Sequence, residues 1–250
     1  MIILLQWMQM REKRKTKGRG VCVVIPAYNE ATTIGSVVRD VKSTFKKGGY
    51  FVDIIVINDG SRDSTEECAI ANGAYVINHI LNSGAGSATA TGLSYADQNN
   101  FDIAVTMDAD GQHSAADALK GVNLINTNGV DLLIGSRLIN SLGMSKVKVL
   151  GNKGLSLITY LLFGINATDS QSGLRIFSQR ALKDLRWRTS GYEFCSEMLW
   201  RAKQQGLRIS EYPIKAIYTD YSRSKGQSNW NAFNIVRSLL KRRVLEMFSE

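Results

Sequence analysis

Apolar runs alternate with helix-spaced segments through the first half of the chain, and that alternation sets the class of fold. Val21 to Ile25 is a short β-run closed by Pro26, and Glu30 to about Phe45 repeats apolar positions at helical spacing. Phe51 to Ile57 predicts a second strand, ended by Asn58-Asp59-Gly60-Ser61. A helix near Asp63 to Ala71, a strand over Ala74 to Ile77, a helix over Gly86 to Ala96 and a buried strand over Ile103 to Met107 follow. The pattern predicts an α/β fold with a mostly parallel, twisted sheet and helices on both faces. Right-handed crossovers then gather the carboxyl ends of these strands on one rim.

After Asn126 the rhythm changes. Val130 to Arg137 is a strand ending in a cation, Leu150 to Phe163 an apolar helix containing serine, and Asp169 to Phe177 a polar turn entering a short strand. Tyr192 to Gln204 carries Phe194, Met198 and Leu199 at helical spacing, and Leu207 to Ile214 alternates as a strand whose Pro213 marks an edge or an end. Asp220 to Asn229 is a long polar loop. Trp230 to Phe248 is an amphipathic helix with Arg237, Lys241, Arg242 and Arg243 on its polar side. Such a helix suits either a membrane interface or packing on its own domain with a solvated basic face.

Three polar tips fall on the predicted rim: Pro26 to Glu30, Asn58 to Ser61, and Asp108-Ala-Asp110. Acidic and glycine-bearing loops converging on the carboxyl ends of parallel strands build ligand sites. Asp108 and Asp110 are two hard-oxygen donors one residue apart, with Gly111 permitting a turn and Gln112 following. Mg²⁺ or Mn²⁺ suits such a pair, since Mg²⁺ takes one or two carboxylates and fills its sphere from substrate phosphates. The same residues also suit capping of a turn and of the next helix, and the spacing alone leaves both readings open.

Composition narrows the field. With 44% hydrophobic and 21% charged residues and only 2 prolines in 250 residues, the chain is long enough for one large folded domain. A formal net charge of +9 suits polyanions, anionic lipid or phosphorylated substrates. A nucleic-acid module would concentrate base-stacking aromatics among the cations, whereas here the cations are dispersed beside acidic strand tips. Cys22, Cys68 and Cys195 lack the spacing of a zinc site or a disulfide framework, and His79 and His113 are the only histidines. The apolar start Met1 to Met8 is too short to span a bilayer, and the basic cluster Arg11 to Lys17 follows it, unlike a secretory signal.

Taken in order, Val24-Ile-Pro-Ala-Tyr-Asn-Glu30, Asn58-Asp-Gly-Ser61, Gly84-Ala-Gly86, Asp108-Ala-Asp-Gly-Gln112, Gly135-Ser-Arg137, Asp169-Ser-Gln-Ser-Gly-Leu-Arg175 and Arg223-Ser-Lys-Gly-Gln-Ser228 resemble the family 2 glycosyltransferases. Within that family the likeness is to the polyprenyl-phosphate sugar synthases, and it runs from about Val21 to Asn229. It implies a GT-A fold over residues 21–229, an extension over 1–20 and a basic amphipathic helix over 230–250.

The resemblance implies an inverting, metal-dependent transfer of a sugar from GDP-mannose, UDP-glucose or a UDP-N-acetylhexosamine to a polyprenyl or dolichyl phosphate. The place of action it implies is the cytoplasmic face of the membrane, peripherally bound, with room for an integral-membrane partner and no role for nucleic acid. Pro26, Tyr28, Glu30, Asp59, Gly86 and Asp108 would surround the nucleotide sugar, while Asp108, Asp110 and Gln112 would hold the metal. Asp110, Arg137, Arg175 and Arg223 would be catalytic, and Arg137, Ser156 and Arg175 would meet the acceptor phosphate. A phosphate acceptor is already anionic, so neither Glu197 nor His113 is needed as a base. The alternative within the family, transfer to a glycan hydroxyl, would need one, and Asp169 is its candidate. Departures from the family pattern are Asn58 in place of aspartate, Ala85 in place of lysine and Asn229 in place of lysine.

Overall fold

A computed structural model describes residues 20–141, 144–217 and 236–240. The predicted Arg223 loop, residues 1–19 and most of the carboxyl-terminal helix lie outside them.

Seven strands form one sheet in the order β3-β2-β1-β4-β6-β5-β7, where β1 is Val21–Ala27, β2 Val52–Asn58, β3 Tyr75–Asn78, β4 Ile103–Thr106, β5 Leu132–Ser136, β6 Arg175–Ser178 and β7 Ile209–Pro213. All neighbouring pairs are parallel except those of β6, which runs antiparallel to both β4 and β5. The central position of β1 explains why Val21 to Ile25 is a continuous apolar run: both of its faces are covered. β7 is an edge strand and Pro213 is its last residue, where a missing amide hydrogen costs little.

Alternate residues of β1 feed two cores. Val21, Val23 and Ile25 pack with α1 (Ile34–Lys47), α2 (Thr65–Ala71) and α4 (Ala115–Asn128), while Cys22 and Val24 pack with α3 (Ala85–Gln98), α5 (Lys146–Phe163), α6 (Gln179–Asp184) and α7 (Phe194–Gln204). In α1 the buried residues Ile34, Val37, Val38, Val41 and Phe45 form the single stripe that the sequence spacing predicts. Helix α4 starts at a Ser114 cap whose hydroxyl accepts from the Ala116 and Asp117 amides.

Some boundaries differ from expectation for physical reasons. Helix α1 begins at Ile34, not Glu30: residues 31–33 form a turn in which Thr33 N and Ile34 N donate to Glu30 O, and the amides of Glu30 and Ala31 bond to Thr65 Oγ1 and Asp63 Oδ2. Helix α5 begins at Lys146, a turn before Leu150, where the Ser145 hydroxyl caps it. Residues 236–240 are helical, with Leu239 buried in the core that holds Leu155 and Phe163.

Candidate functional site

The parallel strands β1, β2 and β4 do end on one rim, and the loops leaving β1 and β2 are stitched together there. Asn29 N donates to Ser61 Oγ at 2.9 Å, Glu30 N to Thr65 Oγ1 at 2.8 Å, and Arg62 N to Asn29 Oδ1 at 2.8 Å. Tyr28, between these contacts, is exposed, and Pro26 and Glu30 are half-buried. Asn58 spends its amide on Asn78 Oδ1 and its oxygen on Ser61 N, a neutral pairing across β2 and β3.

Asp59 is turned inward. Its Oδ1 accepts from Ser83 N at 2.9 Å and lies 2.7 Å from His79 Nδ1, and its Oδ2 accepts from Gly84 N at 2.8 Å. It thereby ties the tip of β2 to the start of α3. Gly86, next in that segment, donates its amide to Ser190 O at 2.6 Å, and Trp187 Nε1 donates to Gly86 O at 3.1 Å. A Cβ at Gly86 would collide with Thr189 O and Phe194, so the glycine is there for close approach. Buried Glu197 pins the other side of this junction by accepting from Arg188 N and Thr189 N, and it pairs with Arg201 at 3.5 Å.

The tip of β4 carries the carboxylates. Gly111 has φ of 76°, a left-handed turn that brings Gln112 back onto Asp110. Gln112 N donates to Asp110 Oδ1 at 2.9 Å, and its side-chain amide donates to Oδ2. Asp108 Oδ2 lies 2.9 Å from the Nε2 of buried His113. Surrounding protein opposes ionisation of Asp108, whose side chain is half-exposed, but the His113 bond and the charges of His113, Arg137 and Arg175 hold its carboxyl below the ordinary range. Burial and then the charge of Asp108 push Asp110 the other way. The two carboxyls are thus poised differently although one residue separates them.

Two contributors escaped the sequence reading. Gly173 lies against Asp108, where any Cβ would overlap the carboxylate oxygens, and its carbonyl accepts from Thr106 Oγ1 at 2.9 Å. The phenol of Tyr192 is pushed above its ordinary value by partial burial, then by Asp108, Cys195, Asp110 and Glu30. The phenol therefore lies within electrostatic range of the rim carboxylates. The glycine was visible inside its motif but its neighbour was not, and no local signal distinguished Tyr192 from a helix-start residue.

The expected phosphate ligands take varied positions. Arg137 forks onto Asp169, with Nε to Oδ2 at 2.7 Å and Nη2 to Oδ1 at 2.9 Å, so residues flanking the excursion between β5 and β6 are joined. Arg175 is 1% exposed and donates to the carbonyls of Ser170, Ser172 and Cys195. Ser156 is buried, donating to Thr168 O and accepting from Ser170 N.

With this geometry described, comparison with known proteins identifies the family. The model described as glycosyl transferase family 2 matches residues 22–186. The chain belongs to that family. It is 43% identical to an uncharacterized protein of Methanocaldococcus jannaschii, over 90% of this chain and 92% of the relative. It is 41% identical to the UDP-N-acetylglucosamine–dolichyl-phosphate N-acetylglucosaminyltransferase of Methanococcus voltae, over 88% of this chain and 94% of that enzyme. Among solved structures, glucosyl-3-phosphoglycerate synthase from Mycobacterium tuberculosis, in complex with Mn²⁺, UDP and phosphoglyceric acid, gives a TM-score of 0.71 at 23% identity, covering 90% of this chain and 78% of that one. The fold of this glycosyltransferase is therefore GT-A.

Proposed function

We propose that this family 2 glycosyltransferase moves N-acetylglucosamine, or a closely similar sugar, from its UDP-linked donor to a polyprenyl phosphate at the cytoplasmic face of the membrane. The observation that carries the reading is the nearly full-length 41% identity to the Methanococcus voltae enzyme, which extends through both the donor and the acceptor halves. Relatives named as polyprenol-phosphate mannosyltransferases are more distant, at 27% identity.

In this reading an oxygen of the acceptor phosphate forms a bond to the anomeric carbon as the bond from that carbon to the UDP oxygen breaks. UDP leaves with the electron pair, no proton is transferred, and a single displacement inverts the anomeric centre. The stitched loops of β1 and β2 hold the nucleoside beside Tyr28 and Glu30. Asp59 positions the Ser83 to Gly86 segment and does not itself need to touch the base.

The donor set fits Mg²⁺ or Mn²⁺: two carboxylates at one strand tip, one of them raised by the other's charge, form a pair whose repulsion a divalent cation relieves. Asp108 and Asp110 would hold the ion, with Gln112 steadying Asp110 through its amide. Such an ion neutralises charge building on the departing diphosphate. Arg137, which follows β5, would meet a phosphate, and Arg223 is given the same role by motif match alone. Arg175 and Ser156 act as positioning residues for the 168–173 loop.

Transfer to a sugar hydroxyl is less well supported, because its candidate base Asp169 is fully buried and engaged by the Arg137 fork and the Arg137 amide. The test is incubation of folded protein with dolichyl phosphate, Mn²⁺ and each of UDP-N-acetylglucosamine, UDP-glucose and GDP-mannose. Sugar in the organic phase from the first donor is expected. No glycolipid from any donor would overturn the reading.

A further inference from the structure

Alternation along β7 turns Tyr212, and Ile214 beyond it, into the core that holds Ala118 and Val122 of α4, and it turns Ile209 toward the core that holds Ile165 and Ala167. Glu211 shares the side of Ile209 and meets the chain returning from α5. Two consecutive amides of that return lie outside any strand, and the Glu211 carboxylate takes both of them. Thr168 N donates to Oε2 at 2.9 Å and Asp169 N to Oε1 at 3.2 Å, and the Thr168 hydroxyl adds a third donor to Oε1 at 3.0 Å. A carboxylate cradled by consecutive amides makes stronger hydrogen bonds than a neutral acceptor does.

We propose that Glu211 is a positioning residue that holds Arg137 in place for its phosphate. Two limbs run between them. The first passes through Asp169, whose amide is held by Glu211 and whose fully buried carboxylate accepts from Arg137 N at 3.1 Å as well as from the guanidinium fork. The second passes through hydroxyls, and their single protons give it a direction. The Thr168 proton goes to the carboxylate, so in the 2.6 Å contact with Ser136 Oγ the serine is the donor. The same serine oxygen accepts from Leu138 N and Ile139 N, both at 3.3 Å. Arg137 lies between Ser136 and Leu138, so its backbone is gripped on both flanks while Asp169 grips its side chain.

Register explains why the acid comes from the last strand. β7 runs parallel to β5 with Ile134 opposite Glu211 and Ser136 opposite Pro213, which brings Glu211 beside the end of β5 that Arg137 leaves. Glu211 and Asp169 are 42 residues apart, so no local motif announces the pairing. A guanidinium fixed before substrate arrives loses less freedom on meeting phosphate oxygens. The role rests on the reading of Arg137 as a ligand of the acceptor phosphate. Glu211 acts through Arg137 and needs no contact with substrate.

The test uses the full chain and two readouts. In heteronuclear NMR, the Arg137 Nε–H signal, assigned by its loss in Arg137→Lys, should exchange slowly with water in wild type and at least about tenfold faster in Glu211→Ala. In transfer to a short, water-soluble prenyl phosphate, Glu211→Ala should raise the acceptor KM by about tenfold or more, with Mn²⁺-dependent UDP binding by calorimetry unchanged. Arg137→Ala and Arg137→Ala/Glu211→Ala should be equally impaired, because a residue acting through Arg137 then has nothing to act on. Thr168→Val cuts the hydroxyl limb alone and should move both readouts in the same direction, and Thr168→Ser should restore them. This pair carries the test if Glu211→Ala does not fold. Three results would overturn the proposal: Nε–H exchange unchanged in Glu211→Ala and Thr168→Val, losses that multiply in the double variant, or UDP binding that falls in step with transfer. Wild-type protein inactive with every donor, beside Nε–H exchange that responds to Glu211, would count against the transfer reaction alone.

Discussion

Asp110 and Arg175 stand for two kinds of residue that the sequence alone presents alike. Asp110 sits at a strand tip with its carboxyl raised by burial and by Asp108, and its local partner Gln112 is two residues away. Asp110→Ala should reduce kcat/KM by about 10³-fold or more and abolish Mn²⁺-dependent UDP binding, read by calorimetry, with the melting temperature nearly unchanged. Arg175 is different in kind. Its guanidinium supplies donors to three buried carbonyls, so Arg175→Ala should lower unfolding stability by about 3 kcal/mol in urea denaturation. If Arg175 instead met a phosphate in the working enzyme, the variant would raise KM and leave the unfolding midpoint in place. The inward-turned Asp59 was equally hidden, because its partners His79, Ser83 and Gly84 lie at least 20 residues away in sequence.

The β4 tip and the 168–173 loop meet because β6 enters the sheet antiparallel, starting beside the end of β4 where Thr106 pairs with Arg175. Gly173→Ala tests that meeting. Its Cβ would press on the Asp108 carboxylate, so transfer should fall by about 10²-fold, as small misplacements near reacting groups do. Gly86→Ala presses α3 off the Thr189 to Ser190 backbone, and should destabilise by about 1–3 kcal/mol while weakening nucleotide binding. The elements legible from the sequence were the ones with an unbroken period. β1, β2 and α1 each declare their burial in a local pattern. The four-residue β6 is legible as a short strand after its polar turn but not in its antiparallel direction, and the short α6 is not legible at all, since so brief a run gives neither direction nor helical period.

At the scale of the molecule, the donor half was readable because successive parallel strands bring neighbouring motifs together in chain order. The acceptor half was less so: its contacts join Arg137 to Asp169 and Thr159 to Ser196, pairings that topology creates and spacing does not announce. The outer side of α5 was misleading for the same reason, since its leucines look like core residues until the fold shows which side is already filled. Among the described residues, no helix is long and apolar enough to cross a membrane.

The fork between Arg137 and Asp169 closes off residues 138–168, most of what lies between β5 and β6. Held shut at its base, that excursion can grow or shrink with only a slowly rising closure entropy and no change of register in the sheet. Evolution could therefore exchange it like a tool head, fitting a new acceptor or a new surface to an unaltered nucleotide-handling handle.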